Sequence, residues 1–257
     1  MIDPIRTTGS GLPVVMVHGL FGVMPIGQAM ADALGREHPV FALHARALSG
    51  DPHDSVDSMA RDYLAEFRAH RPRGPYIIGG MCAGALIALE MARRLRVEGE
   101  TVASVLMLEP NPVLNLNPPQ RHLEPALEKA AADQIRQAAR AWYAMFTPTF
   151  DRVPFDFTGP RGLEQGADAG AKLVFAYERH RIQPYSGQVD IIASEPFAKL
   201  ITNPNLPWRK EILLGTWAIH VVPRPHEDLF VQGAPALLAS MGKVVRSLEE
   251  KAHLTRA

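Results

Sequence analysis

The sequence has little of several features that mark whole classes of protein. Its 257 residues contain a single cysteine, Cys82, which excludes an intramolecular disulfide framework and a metal site built from the cysteines of one chain. The 27 basic and 27 acidic side chains balance, so the charge favours neither a nucleic-acid partner nor a membrane. Neither a phosphate-binding glycine loop nor a metal-binding motif is visible, and we expect no cofactor and no metal.

Long apolar runs are also scarce. The N-terminal residues MIDPIRTTGSG lack a basic segment followed by an apolar one, so no secretory signal is expected. The longest weakly polar stretch, residues 76–92, spans only 17 residues and contains Glu90, so a buried strand, a turn and a helix explain it better than a membrane span. Together with the lone cysteine, this predicts a cytoplasmic protein.

What the sequence does contain is an alternation of short apolar runs with amphipathic segments. Strands are predicted at residues 13–17, 39–43, 76–80, 101–109, 188–194 and 217–223, and helices at about 26–36, 55–71, 85–97 and 234–251. Alternation of this kind is typical of an α/β fold, with a mostly parallel central sheet flanked by helices. We expect one domain over residues 1–257.

One segment, from about residue 111 to 178, interrupts this alternation and is interpreted as an insertion between sheet strands. It starts with a proline-rich loop and continues into a helix from about Pro125. Apolar residues recur along that helix at helical spacing, namely Leu127, Ala131, Ile135, Ala138, Trp142 and Phe146. Residues 147–172, rich in glycine, proline and aspartate, complete the insertion.

Between a predicted strand and a predicted helix lies Gly80-Met81-Cys82-Ala83-Gly84. This is the glycine-x-nucleophile-x-glycine turn of α/β-hydrolases, with cysteine as the nucleophile. Small residues suit it, because the turn is tight and helix and strand approach closely. We expect the helix N-terminus to lower the pKa of the thiol and to stabilise an oxyanion. A lone buried cysteine is usually an inert apolar side chain, but this one lies where the turn requires a nucleophile.

The other members of a catalytic triad follow in the order nucleophile, acid, histidine. Glu109 ends the strand after the nucleophile's helix, and His226 follows a later strand, so His226 is the candidate base and Glu109 the residue that fixes its tautomer. Glu195 also follows a strand and stays a rival acid. His220 alternates within a strand and is predicted to be structural.

An oxyanion hole needs two backbone N–H donors. One is expected from Ala83 and the other from Leu20, in the loop His18-Gly19-Leu20-Phe21-Gly22 that follows the first predicted strand. His18 is predicted to brace this loop rather than to act as a second base. His44 and His53 are minor candidates for lining the site. The side chains expected to bind the acyl substrate are Met81, Phe21, Trp142 and Phe146.

These residues resemble the thioesterase family of α/β-hydrolases that release chains from polyketide synthases and nonribosomal peptide synthetases. The resemblance covers nearly the whole chain and rests on VVMVHGLFG, GPYIIGGMCAGALIALEMARRL, Tyr185-Ser186-Gly187 and VVPRPHEDLF. It implies that the acid follows the strand after the nucleophile's helix, which matches Glu109, and that residues 111–178 form a mobile helical lid over an acyl channel. The family usually has serine, aspartate and glycine where this chain has Cys82, Glu109 and Arg224.

The resemblance also implies a partner, an acyl or peptidyl carrier protein that bears a phosphopantetheine-linked acyl chain. Two basic clusters are candidates for docking it, Arg68, Arg71 and Arg73, and Arg93, Arg94 and Arg96, although such clusters are usually solvated faces. Because a cysteine thioester stays activated, we expect release by cyclisation or acyl transfer, with hydrolytic editing as the alternative.

Two other interpretations stay open. One is a small-lactone cysteine hydrolase of the dienelactone-hydrolase type, and the other is a hydrolase fold without catalysis that serves as a binding module. The lid-like insertion argues against the first, and the presence of a nucleophile, an acid and a base argues against the second.

Overall fold

A seven-stranded sheet forms the centre of the computed structural model, which describes residues 1–110, 125–205, 211–224 and 235–254. The strands are β1 (Ile2–Arg6), β2 (Val14–Val17), β3 (Val40–Leu43), β4 (Tyr76–Met81), β5 (Val102–Leu108), β6 (Val189–Ser194) and β7 (Trp217–Val222). Their spatial order is β1-β3-β2-β4-β5-β6-β7. β1 runs antiparallel to β3, and the other neighbouring pairs are parallel.

Helices cover both faces of this sheet. They are α1 (Gly27–Leu34), α2 (Val56–His70), α3 (Gly84–Val97), α4 (Pro125–Phe146), α5 (Pro160–Arg179), α6 (Glu195–Thr202) and α7 (Pro235–Leu254). α1 and α7 enclose one apolar core with side chains such as Met30 and Met241, while α2 and α3 enclose the other with Phe67 and Ile87. The predicted α/β sheet, with each of its six strands within two residues of its predicted ends, is confirmed.

Three elements were not predicted. β1 contains Asp3 and Arg6 at the sheet edge, so it lacks an apolar run. α6 is short. α5 lies largely within residues 147–172, whose glycine, proline and aspartate content does not indicate a helix. The small residues of α5 lie on its buried face. They are small because a Cβ at Gly166 would clash with the ring of Tyr143 in α4, and one at Gly170 with the ring of Phe21 in the loop after β2.

The face of α4 differs by one position from the predicted stripe. Ala138 is exposed, while Ala139 and Tyr143, four residues apart, are buried. Trp142 and Phe146 lie at the margin of this face and are half-buried. The side chain of Leu127 lies outside the described residues.

The order of the strands determines where the site forms. β2 and β5 are the two neighbours of β4, so their carboxyl ends meet at one edge of the sheet. Cys82, Glu109 and the loop that starts at His18 therefore come together. In the described parts of the chain, no helix has an apolar stretch long enough to cross a membrane.

Candidate active site

Cys82 lies at a sharp turn between β4 and α3, with φ at 51°. This left-handed backbone is costly for a residue with a Cβ, and it recurs at catalytic nucleophiles. A Cβ on Gly80 would overlap the carbonyl oxygen of Gly84, and a Cβ on Gly84 would overlap that of His18. The N–H of Cys82 donates to the carbonyl of Leu108 at 2.7 Å. The glycines of the motif are thus required by close backbone contacts.

The ionisation of the thiol differs from the sequence expectation. Removal from water raises the pKa of Cys82 to about 11, and the negative charge of Glu109 acts in the same direction. The N–H of Ala83 donates toward the sulfur and opposes this shift, but its effect is smaller than that of burial. The prediction of a lowered pKa is wrong for the described surroundings, so the thiol needs a base. The candidate base, His226, lies outside the described residues.

Glu109 is fully buried directly after β5, beside the nucleophile turn. Its carboxylate accepts hydrogen bonds from the backbone N–H and the hydroxyl of Ser194, the latter at 3.0 Å. The rival acid, Glu195, is exposed and pairs with Lys199 at 2.8 Å, and this hydrogen bond lowers the pKa of Glu195. The geometry therefore favours Glu109, because a carboxylate held in the site can orient a base whereas one on the surface cannot.

His18 is fully buried and braces its own loop. Its Nδ1 donates to the carbonyl of Gly19 at 2.9 Å, so its Nε2 accepts from the hydroxyl of Tyr63 at 2.8 Å. Burial lowers the pKa of His18 to about 3, which keeps the imidazole neutral. Both nitrogens are occupied, as the predicted bracing role requires.

The three other candidate histidines have partners away from the thiol or are buried elsewhere. His44 is buried after β3, and burial lowers its pKa to about 4. His53 pairs with Asp62 at 3.1 Å. His220 pairs with the buried Asp190 at 2.9 Å on neighbouring strands, in the structural position expected for it.

The loop of residues 18–22 contains two backbone N–H groups without an acceptor among the described residues. The N–H groups of His18, Gly19 and Gly22 donate to the carbonyls of Leu43, Val23 and Gly19 at 3.0, 3.0 and 3.1 Å. Among the described residues, the N–H groups of Leu20 and Phe21 have no acceptor. Because Gly84 touches the carbonyl of His18, this loop lies against the start of α3. Leu20 and Ala83 therefore stay the predicted oxyanion donors: the N–H of Leu20 has no acceptor among the described residues, and that of Ala83 is directed at the sulfur of Cys82.

Of the four predicted acyl contacts, the structure brings three together. The ring of Phe21 lies 5.4 Å from that of Trp142, which lies 5.3 Å from that of Phe146. Met81 is instead buried in the core, where its Cε lies against Gly19. The three clustered aromatic side chains form an apolar wall between the lid and the loop after β2.

Helices α4 and α5 lie between β5 and β6 and are the described helices of the predicted lid; ion pairs join them, and one tyrosine anchors them. Arg140 bonds both carboxylate oxygens of Glu164 at 2.6 Å. Tyr143 is fully buried, stacks on Phe157 at 4.2 Å and donates from its hydroxyl to the carbonyl of Phe21. Tyr143 is absent from the predicted stripe of α4, although a spacing of four residues from Ala139 is typical of one buried helix face.

The two arginine clusters lie far from the nucleophile. Along α3, the second cluster begins at Arg93, roughly 14 Å from the start of the helix at Gly84, since a helix rises about 1.5 Å per residue. Arg93 and Arg94 both bond the buried Glu90, and Arg68 pairs with Glu98 at 2.5 Å. These arginines are largely neutralised within the chain. Nor do the described residues contain three or more side chains grouped to hold a metal ion.

A family comparison decides the classification. The thioesterase domain model matches residues 12–141, slightly more than half of the chain. The chain belongs to the thioesterase domain family. The resemblance drawn from the nucleophile motif is thereby confirmed.

Among curated relatives, an inactive atromentin synthetase of Paxillus involutus is 31% identical to this thioesterase over 152 residues, 54% of this chain and 16% of that protein. A dimodular nonribosomal peptide synthase of Bacillus subtilis (strain 168) is 31% identical over 111 residues, 42% of this chain and 5% of that protein. The thioesterase thus spans only a small part of the curated relatives it matches.

Solved structures share the fold over nearly the full chain. The NocB thioesterase domain, in covalent complex with a fluorophosphonate nocardicin G analog, has a TM-score of 0.68 at 21% identity, covering 96% of this chain and 98% of that one. The RedJ thioesterase of the prodiginine pathway in Streptomyces coelicolor has a TM-score of 0.67 at 20% identity, covering 94% and 93%. At such identities the likeness concerns the fold.

Proposed function

We propose that this thioesterase takes an acyl chain from a carrier-protein thioester onto Cys82 and releases it, preferentially by cyclisation or acyl transfer. The observation that carries this proposal is the left-handed turn at Cys82, with a backbone N–H directed at its sulfur and a buried carboxylate beside it. The synthetase relatives support a substrate bound to a carrier protein.

The first step is the transfer of the acyl group between two sulfurs. His226, oriented by Glu109, takes the proton of the Cys82 thiol as the sulfur attacks the thioester carbonyl. The N–H groups of Ala83 and Leu20 stabilise the oxyanion of the tetrahedral intermediate. The carbon–sulfur bond to the carrier's phosphopantetheine then breaks, and the leaving thiolate takes the proton from His226. A base is needed because burial holds the pKa of the thiol near 11.

The second step distinguishes cysteine from serine. A serine enzyme converts the thioester into a more stable oxygen ester, whereas Cys82 exchanges one thioester for another of similar free energy. The acyl-enzyme therefore stays reactive toward a hydroxyl or amine of the substrate or of an acceptor. The apolar wall of Phe21, Trp142 and Phe146 limits the access of water, which would otherwise give the free acid.

Intact-protein mass spectrometry tests the first step. Wild type and Cys82→Ala are incubated with a panel of acyl-N-acetylcysteamine thioesters and with one acyl-carrier protein. Because Cys82 is the chain's single cysteine, a thioester adduct has one possible position. We expect an adduct on wild type alone. No adduct on wild type with any substrate, including the carrier-bound one, would contradict the proposal and favour a small-lactone hydrolase or a binding module.

Product analysis tests the second step, with Cys82→Ser as the matched variant. We expect the ratio of cyclised or transferred product to free acid to fall in Cys82→Ser, because the oxygen ester reacts less readily with a weak nucleophile. An unchanged ratio would remove the role assigned to sulfur. Free acid as the main wild-type product would identify a hydrolytic, editing enzyme.

A further inference from the structure

One polar contact joins lid helix α4 to the backbone of the loop after β2. The hydroxyl of Tyr143 donates to the carbonyl of Phe21, and burial raises the pKa of this hydroxyl, so it remains a donor at any ordinary pH. The ring has little freedom, because it stacks on Phe157 at 4.2 Å and because a Cβ at Gly166 of α5 would meet it. The two lid helices thus fix the direction from which the hydroxyl approaches.

The contacted carbonyl belongs to a tight turn. Gly22 closes that turn by donating its N–H to the carbonyl of Gly19 at 3.1 Å, with Leu20 and Phe21 as the central residues. Neither central residue has a positive φ, so the turn is not of type II. The carbonyl of Gly19 also accepts from His18, and Tyr143 holds the carbonyl of the same peptide group whose N–H, that of Gly22, closes the turn.

The geometry points to Tyr143 as a positioning residue for the oxyanion hole. By holding the carbonyl of Phe21, its hydroxyl keeps the turn in the conformation that presents the N–H of Leu20 to the substrate. Tyr143 belongs to the lid and also holds the loop that carries Leu20. The oxyanion hole is then complete only when the lid lies over that loop. This inference rests on the proposed function, in which Leu20 stabilises the oxyanion on transfer to Cys82.

The test compares two reactions of the same thiol in Tyr143→Phe. Acylation by a thioester builds an oxyanion, whereas alkylation by iodoacetamide displaces iodide directly and builds none at a carbonyl. We expect Tyr143→Phe to lower the maximal acylation rate about tenfold with little change in KM, since one hydrogen bond that positions a donor is lost. The alkylation rate should stay within about twofold of wild type.

Tyr76→Phe is the matched control. Tyr76 is buried and donates its hydroxyl to a backbone carbonyl, that of Arg71 at 3.0 Å, at the other end of the sheet. We expect it to leave both rates unchanged. Equal acylation by Tyr143→Phe and wild type would overturn the inference alone, and so would a parallel fall in both rates. No acylation of wild type would overturn the proposed function and this inference with it.

Discussion

The nucleophile turn and the lid are held together in different ways. At the turn, the contacts are between backbone atoms: Gly84 touches the carbonyl of His18, and the N–H of Cys82 donates to the carbonyl of Leu108 at 2.7 Å. In the lid, the contacts are between side chains, which form stacked rings and exposed ion pairs such as that of Arg140. Backbone contacts fix atoms within tenths of an ångström, whereas side-chain contacts can re-form. We therefore expect the turn to control the acylation step and the lid to influence which group attacks the acyl-enzyme.

The strongest test of the comparison is to add a single methyl group to each region by a glycine-to-alanine substitution. Gly84→Ala places its Cβ on the carbonyl of His18, which separates the loop from α3 and with it the two oxyanion donors. We expect acylation of Cys82 to fall about 1,000-fold. Gly159→Ala in the lid meets nothing within 4 Å and should acylate like wild type. Intact-mass kinetics on folded protein checks both, and equal rates in the two variants would break the comparison.

The next test removes the charge of the candidate acid. Glu109→Gln keeps the size of the side chain but cannot stabilise a protonated base, so we expect the acylation rate to fall about 100-fold. Glu195→Gln, on the surface, is the matched control and should be within about twofold of wild type. The opposite order of effects would identify Glu195 as the acid. Thermal unfolding of both variants shows whether Gln at the buried position also destabilises the fold.

A pH profile sharpens the description of the nucleophile. Because burial raises the pKa of Cys82 to about 11, the thiolate fraction should grow about tenfold per pH unit below that value. The rate of alkylation by iodoacetamide should therefore still be rising between about pH 8 and pH 10. A plateau below pH 8 would mean that a cation outside the described residues stabilises the thiolate.

The smallest effect is expected in the lid. Arg140→Gln removes the exposed pair with Glu164, and surface pairs of this kind contribute little to stability. We expect the melting temperature to change by less than about 2 °C and the ratio of cyclised product to free acid to stay the same. A large change in that ratio would show that the ion pairs, rather than the apolar wall of Phe21, Trp142 and Phe146, hold the lid closed.

Much of the fold was predictable because buried parallel strands are continuous apolar runs. The runs at 13–17 and 76–80 gave β2 and β4, and the glycines around Cys82 gave the turn between β4 and α3. β1 was not predictable in this way, since an edge strand needs no apolar run. α5 was not predicted, because the glycine, proline and aspartate content of residues 147–172 indicates a loop. The glycines and alanines of α5 nevertheless recur at helical spacing, where they let two helices approach closely.

The sequence by itself determined the class of the protein, the position of the candidate nucleophile and the order in which the candidate triad residues follow, because these depend on local pattern and chain order. Only the tertiary structure decided between Glu109 and Glu195 as the acid the geometry favours, raised the pKa of Cys82, and brought Tyr143 to the carbonyl of Phe21. Burial, ionisation and a contact between residues 122 positions apart depend on which groups pack around each side chain, and the order of residues along the chain does not specify that packing.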